Sequence, residues 1–113
     1  MHGNFDQLQQ LDGTGGVTVT GWICWAGVPQ EPDSCTVTVE IKQSSGPGNS
    51  EADGTSAPYA RPGKDGEHVE WTAQATCQRG ILEPGPADAR GWVKDSQGHT
   101  VFHWPASQPV TLV

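Results

Sequence analysis

The chain has 113 residues and a formal net charge of −7, with 6 basic residues against 13 acidic ones. Leu, Ile, Val and Phe make up 19 residues, about 17% of the chain, and so low a fraction is typical of disordered proteins. Against this, the five Trp supply large apolar side chains and the ten Val are strand formers. These values exclude a transmembrane protein, a coiled coil and a large multidomain enzyme, and they argue against nucleic acid as a partner.

Residues 1–16 are polar and rich in Gly, and they predict either a flexible N-terminal arm or an irregular first strand. Phe5, Leu8 and Leu11 recur every three residues, a spacing that also fits one amphipathic helical turn. No basic segment with a long apolar run follows Met1. The sequence therefore contains no signal peptide, and if the protein is secreted we expect the signal peptide to have been removed.

Residues 17–113 predict a single β domain, because apolar and polar residues alternate with the period of two that half-buried strands show. The predicted strands cover residues 17–25, 35–42, 69–77, 87–94, 100–104 and 110–113. In the second of these strands, Cys35 and Ile41 would face the core and Lys42 would face water. Residues 95–98 predict a hairpin turn between two strands.

Six to seven short strands with turn residues between them, and no long helical pattern, predict an all-β fold. We expect a single β-sandwich over residues 17–113, with a small barrel as the alternative. Residues 43–66 contain no Leu, Ile, Val or Phe, and eight of these 24 residues are Gly or Pro. This composition predicts one long polar loop, which is either a solvated insertion or a binding loop that presents Tyr59 and Arg61.

Three cysteines leave at least one without a partner in the chain. Cys24 ends one predicted strand and Cys35 begins the next, so a disulfide between them would close a loop of about twelve residues and contribute about 3 kcal/mol. A Cys24–Cys77 bond and three reduced thiols are the alternatives. Because disulfides form in oxidising compartments, the first pairing predicts a secreted protein, and three free thiols would contradict that prediction.

Recognisable catalytic and metal-binding motifs are missing from the sequence. It contains no nucleophile elbow, no phosphate-binding loop and no pair of cysteines two residues apart. His99 and His103 lie four residues apart on a predicted strand, where a rise of ~3.3 Å per residue separates them by about 13 Å, too far for one metal ion. We therefore expect a protein without enzymatic activity, metal or cofactor.

The five tryptophans are the most informative feature of the sequence. Strand parity places Trp71 in the core and Trp92 on the outer face beside Arg90. Trp22 and Trp25 have opposite parity, so one of them should face outward. The rings either compensate for the scarcity of aliphatic residues or form an exposed patch, made of Trp92 with Trp22 or Trp25, that binds a protein or a sugar ring.

Four segments occur in an order that is shared with a known group of proteins. They are residues 16–21 leading to Cys24, the strand 37–43 that ends in Gln, residues 67–73 with a His-x-x-Trp pattern, and residues 80–89 with the sequence Pro-Gly-Pro-Ala. In this respect the chain resembles small secreted immunoglobulin-like proteins of unknown function from actinobacteria. The resemblance implies a secreted, single immunoglobulin-like β-sandwich over residues 17–113 and no particular activity.

These features favour a non-catalytic extracellular binding module, most simply an adaptor or subunit in a secreted protein assembly. Two alternatives are a carbohydrate-binding module that uses exposed Trp and an inhibitor of an extracellular protease. The inhibitor would present residues 25–34 as a loop fixed by the Cys24–Cys35 bond, because a preorganised loop binds tightly. The predicted partner is therefore a protein or a carbohydrate, and neither nucleic acid nor a membrane.

Overall fold

The computed structural model describes residues 1–25, 31–45, 48–64, 66–104 and 106–113. Its strands are β1 (His2–Phe5), β2 (Leu8–Leu11), β3 (Val17–Cys24), β4 (Ser34–Ser45), β5 (Gly48–Thr55), β6 (Tyr59–Ala60), β7 (His68–Arg79), β8 (Gly85–Lys94), β9 (Thr100–His103) and β10 (Gln108–Leu112). Within the described residues there is no helix. The predicted all-β class is thus confirmed.

Seven of the strands close into a barrel in the order β4-β5-β7-β3-β2-β10-β8, because β8 pairs back onto β4. Neighbours in this ring are antiparallel except β2 and β10, which are parallel. The structure therefore differs from the expected immunoglobulin-like sandwich and agrees better with the alternative, a small barrel. We name the end at which the ring is complete, near β2 and β10, the closed end.

At the opposite end, the split end, the ring separates into two sheets. β1 and β2 pair with different parts of the same edge of β3. Residues 10–11 of β2 pair with residues 17–18, and residues 2–5 of β1 pair with residues 21–24. Likewise, β10 pairs with the first half of β8 and β9 pairs with its last residues. At the start of β4, the neighbouring strand is β6 and not β5. Among the described strands, no pairing joins β1 to β9 or β6 to β7. The two sheets are therefore β1-β3-β7 and β6-β4-β8-β9.

The inward side chains follow the predicted strand parity. Buried residues alternate along the four long strands: Val17, Val19 and Ile23 on β3, Cys35, Val37, Val39 and Ile41 on β4, Trp71, Ala73 and Ala75 on β7, and Ala87, Ala89 and Val93 on β8. Two inward glycines make room for indole rings, because a Cβ on Gly21 would lie 2.6 Å from the ring of Trp71 and one on Gly91 would lie 2.6 Å from that of Trp104. Period-two alternation thus identified the core strands correctly.

The prediction of one long polar loop over residues 43–66 is wrong, because this region contains β5 and β6. β5 completes the ring between β4 and β7. Its inward residues Ser50 and Ala52 are buried, and a Cβ on Gly54 would overlap the main-chain oxygen of Gln74. Small residues let β7 approach closely, and for the same reason the strand carries no hydrophobic signal in the sequence.

Residues 1–16 contribute two strands, β1 and β2, and no helical turn. Gln9, the second residue of β2, is fully buried, and its side chain bonds the part of the β3 edge that β1 and β2 leave unpaired. Its Oε1 accepts a hydrogen bond from Thr20 N at 2.8 Å, and its Nε2 donates to Thr20 O at 3.0 Å and to Asp6 O at 2.7 Å. The side-chain amide therefore bonds the main-chain N and O of Thr20, which lie on β3 between the part paired with β2 and the part paired with β1.

The predicted disulfide between Cys24 and Cys35 is not formed, and all three cysteines are free thiols. Both cysteines are buried, but Cys35 has the inward parity of β4 whereas Cys24 has the parity of Trp22 on β3. At the split end the two strands also belong to opposite sheets. Burial raises the pKa of the Cys35 thiol to about 11. At neutral pH this thiol is protonated, and it is therefore a poor nucleophile.

Candidate binding surface

The five tryptophans divide into three core residues and two outward residues. Trp25 and Trp71 are essentially inaccessible and Trp104 is buried, whereas Trp22 and Trp92 are partly exposed. The indole Nε1 of Trp25 donates a hydrogen bond to Pro32 O at 2.8 Å. Trp25 is therefore part of the core, and the outward member of the Trp22–Trp25 pair is Trp22.

On the β1-β3-β7 sheet, the ring of Trp22 is covered by imidazoles. His68 from β7 stacks on it with a centroid distance of 4.0 Å and an interplanar angle of 1°. His2 from β1 meets it in a T-shaped arrangement with a centroid distance of 5.4 Å. Two imidazoles therefore cover the Trp22 ring, one of them stacked face to face, and this makes it a poorer platform for a ligand than Trp92, whose described contact is one guanidinium 5.5 Å from the ring centroid.

On the opposite sheet, Trp92 lies among polar outward side chains. Its cross-strand neighbours are Thr38 on β4 and His103 on β9. The guanidinium carbon of Arg90 lies 5.5 Å from the ring centroid of Trp92, within the range of a cation–π contact. We define the Trp92 face as the outward side chains of β4 and β8 in this region: Thr38, Glu40, Lys42, Asp88, Arg90 and Trp92.

A groove runs from the Trp92 face toward the closed end. It consists of two adjoining depressions of about 330 Å³ and 220 Å³ that share Lys42, Ser44 and Asp88. The larger depression is lined by Lys42, Gln43, Ser44, Asn49, Glu51, Asp88, Arg90 and Ser107. Arg90 therefore lines the groove and also lies over Trp92, so the ring and the groove are parts of one surface.

The charges that line the groove cancel, although the whole chain carries a formal charge of −7. Lys42 and Arg90 stand against Glu51 and Asp88. Lys42 Nζ lies 3.5 Å from the carboxylate of Glu40 and 3.8 Å from that of Glu51. The ion pairs are partly exposed and contribute little to stability. Together with Glu40 the surface carries one more carboxylate than cations, and it is dense in hydrogen-bond donors and acceptors.

Tyr59 and Arg61 lie at the split end and not on the Trp92 face. The hydroxyl of Tyr59 accepts a hydrogen bond from Thr72 N at 2.9 Å, which joins β6 to β7 where strand pairing is missing. The main-chain N of Arg61 donates to Asp33 O at 2.7 Å. Both residues therefore support the structure around residues 31–33 and β7.

The part of the chain that the structure describes shows neither a metal site nor a membrane-spanning helix. Within the described residues, no group of three or more His, Cys, Asp or Glu side chains is placed to hold a metal ion. The same part of the chain contains no helix long and apolar enough to cross a membrane. The chain matches no protein-family model, and no curated protein or solved structure was found to be similar to it.

Sequence reasoning identified Trp92 and Arg90 as outward neighbours, but it missed most of the groove. Asn49 and Glu51 reach the groove because β5 pairs with β4 in a register that sets Glu51 opposite Lys42. The prediction of a loop over residues 43–66 leaves no strand there to pair with β4, so the sequence pattern does not indicate this contact. The only available signal was the outward parity of Lys42 on β4.

Proposed function

We propose that this chain is a non-catalytic extracellular binding module and that the Trp92 face is its contact surface. The observation that carries the proposal is the Arg90–Trp92 pair, which stands outward on an accessible sheet face. Trp and Arg are the residues that most often dominate the binding energy of protein surfaces. A protein partner at this face would make the chain an adaptor or a subunit of a secreted assembly.

A non-catalytic role is supported by the chemistry of the described side chains. Cys35 is the strongest candidate nucleophile inside the barrel, and burial makes it less reactive because it raises the pKa of the thiol to about 11. On the Trp92 face, Lys42 is paired with Glu40 and with the neighbouring Glu51. None of these groups has the environment that activates a catalytic acid, base or nucleophile.

A second candidate function is carbohydrate binding, which the neutral polar groove beside Trp92 favours. The protease-inhibitor hypothesis has no comparable support. Its loop, residues 25–34, would have been fixed by a Cys24–Cys35 bond that is not formed, and residues 26–30 lie outside the described part of the chain.

The extracellular location and the kinship with immunoglobulin-like proteins of actinobacteria remain predictions. The three free thiols remove the disulfide that favoured an oxidising compartment. Thiol counting on protein purified without reductant from its natural source tests the location. A disulfide in that material supports secretion, whereas three titratable thiols after denaturation contradict it.

Site-specific photocrosslinking tests the contact surface. A benzophenone side chain at position 38, next to Trp92 on the register of β4 and β8, should capture a molecule from the extracellular fraction of the producing organism. The same group at position 18, on the outer side of β3, is the control and should capture none. Trp92→Ala should abolish the crosslink from position 38. Equal capture from both positions, or capture that survives Trp92→Ala, contradicts the proposal.

A further inference from the structure

We infer that the groove beside Trp92 binds an uncharged oligosaccharide, with Trp92 as the stacking platform. This inference rests on the proposed function, because it names the class of ligand for the same surface. It is carried by three observations together, namely the charge balance of the groove, the chemistry of its side chains and its continuity with an outward indole ring.

Charge balance selects an uncharged ligand. A groove that recognises a polyanion or a polycation carries an excess of the opposite charge, because electrostatic complementarity guides association. The lining holds two cationic residues, Lys42 and Arg90, and two anionic ones, Glu51 and Asp88, and Glu40 adds a carboxylate beside it, 3.5 Å from Lys42 Nζ. The groove therefore has no positive excess to attract a polyanion, and the extra carboxylate of Glu40 is already paired with Lys42.

The side chains offer what sugar hydroxyls require. A hydroxyl is both a donor and an acceptor, so a polyol is bound best by neighbouring groups of both kinds. Lys42 and Arg90 donate, Glu51 and Asp88 accept, and Asn49 does both. Ser44 and Asn49 are already oriented by a hydrogen bond of 3.2 Å between Ser44 Oγ and Asn49 Oδ1. Such convergent polar groups fix a ligand's orientation in a pocket.

Trp92 supplies the apolar part of the contact. The C–H face of a sugar ring packs on an indole face through dispersion and removal of apolar surface from water. Asp88, Arg90 and Trp92 are successive outward residues of β8, so the platform and the groove extend over about 13 Å at ~3.3 Å per residue. A surface of that length fits several linked sugar units better than a single one.

The strand beneath the groove is fixed from inside the barrel. Gln43, a residue of β4 at the larger depression, has a buried side chain that makes three hydrogen bonds: Nε2 donates to Glu83 O at 2.8 Å and to Pro86 O at 3.1 Å, and Oε1 accepts from Glu83 N at 2.9 Å. Because these bonds hold β4 in place, binding at the groove does not require the strand to reorganise, and that reduces the entropic cost of association.

Isothermal titration of the full chain with soluble hexasaccharides tests the inference. The probes are the uncharged hexamers of glucose with β-1,4 and α-1,4 linkages, of xylose, of mannose and of N-acetylglucosamine, together with hexagalacturonate as a charged comparison. We expect at least one uncharged hexamer to bind and hexagalacturonate to bind at least about tenfold more weakly. Amide chemical-shift changes should fall on β4, β5 and β8.

Three variants locate the site. Trp92→Ala should weaken binding about tenfold or more, and Asp88→Asn, which keeps the shape of an exposed side chain, should weaken it without changing the melting temperature. Trp22→Ala on the opposite sheet is the matched control and should bind like the original chain. If Trp92→Ala unfolds the protein, Asp88→Asn and the chemical-shift map still decide where the sugar binds.

The outcomes separate this inference from the function on which it rests. Binding of none of the uncharged hexamers at millimolar concentration, or preference for hexagalacturonate, overturns the assignment of an uncharged sugar. Equal losses for Trp22→Ala and Trp92→Ala, or shifts confined to β3 and β7, overturn the location. If no hexamer binds while position 38 still crosslinks to a protein in a Trp92-dependent manner, the binding module stands and only its ligand class is wrong.

Discussion

At the closed end of the barrel, the interior holds aliphatic and small side chains with a few buried amides and hydroxyls, whereas toward the split end it holds a cluster of aromatic rings. Ser50 and Ala52 belong to the first region. In the second, the ring of Phe5 lies 5.5 Å from that of Trp71 and 4.9 Å from that of Trp104. Small side chains permit a closed ring of strands, and large rings fill the wider space where the sheets separate.

The two regions also differ in whether their buried polar groups are hydrogen-bonded. At the closed end, Gln43 makes three hydrogen bonds and Ser50 Oγ bonds both the main-chain O and N of Ile81, at 2.8 and 3.1 Å. In the aromatic cluster, the buried indole Nε1 atoms of Trp71 and Trp104 find no hydrogen-bond partner among the described residues. The closed end therefore depends on hydrogen bonding and the split end on the volume of its rings.

Removal of one of those rings should have the largest effect. Trp71→Ala deletes a side chain that is 1% exposed, and we expect the free energy of unfolding to fall by about 3–5 kcal/mol. Denaturant unfolding followed by circular dichroism measures it. Trp22→Ala, which deletes a partly exposed ring, should cost only about 1 kcal/mol. Equal costs for both variants would refute the dependence of this region on ring packing.

The variant Trp71→Phe separates ring volume from the unbonded N–H. It keeps an aromatic ring in the cluster and removes a buried donor that has no partner among the described residues. Because an unsatisfied donor is costly, we expect Trp71→Phe to be clearly more stable than Trp71→Ala in the same denaturant unfolding measurement.

Loss of a buried amide at the closed end should have the next largest effect. Gln43→Leu leaves Glu83 N, Glu83 O and Pro86 O without their partner, and we expect a loss of about 2–3 kcal/mol in the free energy of unfolding. Ser44→Ala, at the neighbouring exposed position, is the control and should change stability by less than about 0.5 kcal/mol. A stable Gln43→Leu variant would show that hydrophobic packing, and not hydrogen bonding, holds this end together.

A smaller effect is expected at the gap between β6 and β7. Tyr59→Phe removes the hydroxyl that accepts the hydrogen bond of Thr72 N, and this should cost about 1 kcal/mol. Amide hydrogen exchange should become faster at Thr72 and stay unchanged at Ala75, which pairs with β3 at the closed end. Unchanged protection at Thr72 would mean that the gap is closed by other contacts.

At neutral pH the smallest effect is that of the Cys35 thiol, because it is confined to alkaline solution. Burial raises the pKa of Cys35 to about 11 from an ordinary value of 9.0, so between these values the unfolded chain releases the thiol proton and the folded chain retains it. Stability should therefore fall as the pH rises from about 9 toward 11. In Cys35→Ala, unfolding curves at pH 8 and pH 10.5 should show a smaller decline. A decline as steep as in the original chain would assign the effect to other groups.

Strand parity explains which parts of this fold were predictable. The alternation of residue types along β3, β4, β7 and β8 is enough to place Val19, Ile41 and Trp71 inside and Trp92 outside, and the burial of these side chains agrees. The pattern failed where the inward residues are small, as in β5 with Ser50 and Ala52, because period two is visible only when apolar side chains mark one face. The missed strand also hid half of the groove.

The disulfide hypothesis failed for a different reason. Cys24 and Cys35 are close in sequence, but a cysteine pair needs matching directions as well as proximity. The last residues of β3 and the first of β4 enter opposite sheets, and the two cysteines have opposite parity. Closure of the ring and separation of the sheets depend on register between distant segments, which no local pattern specifies.

The parallel pair β2–β10 has a consequence for how the chain folds. It closes the ring by joining residues 8–9 to residues 111–112, supported by a hydrogen bond of 2.9 Å from Leu11 N to Val113 O. Almost the full length of the described sequence separates these partners, so this contact carries the largest loop-closure entropy in the barrel. Local hairpins such as β4–β5 and β8–β9 can form first. The rate-limiting step is then expected to be the meeting of the two ends, as in other folds that non-local pairings dominate.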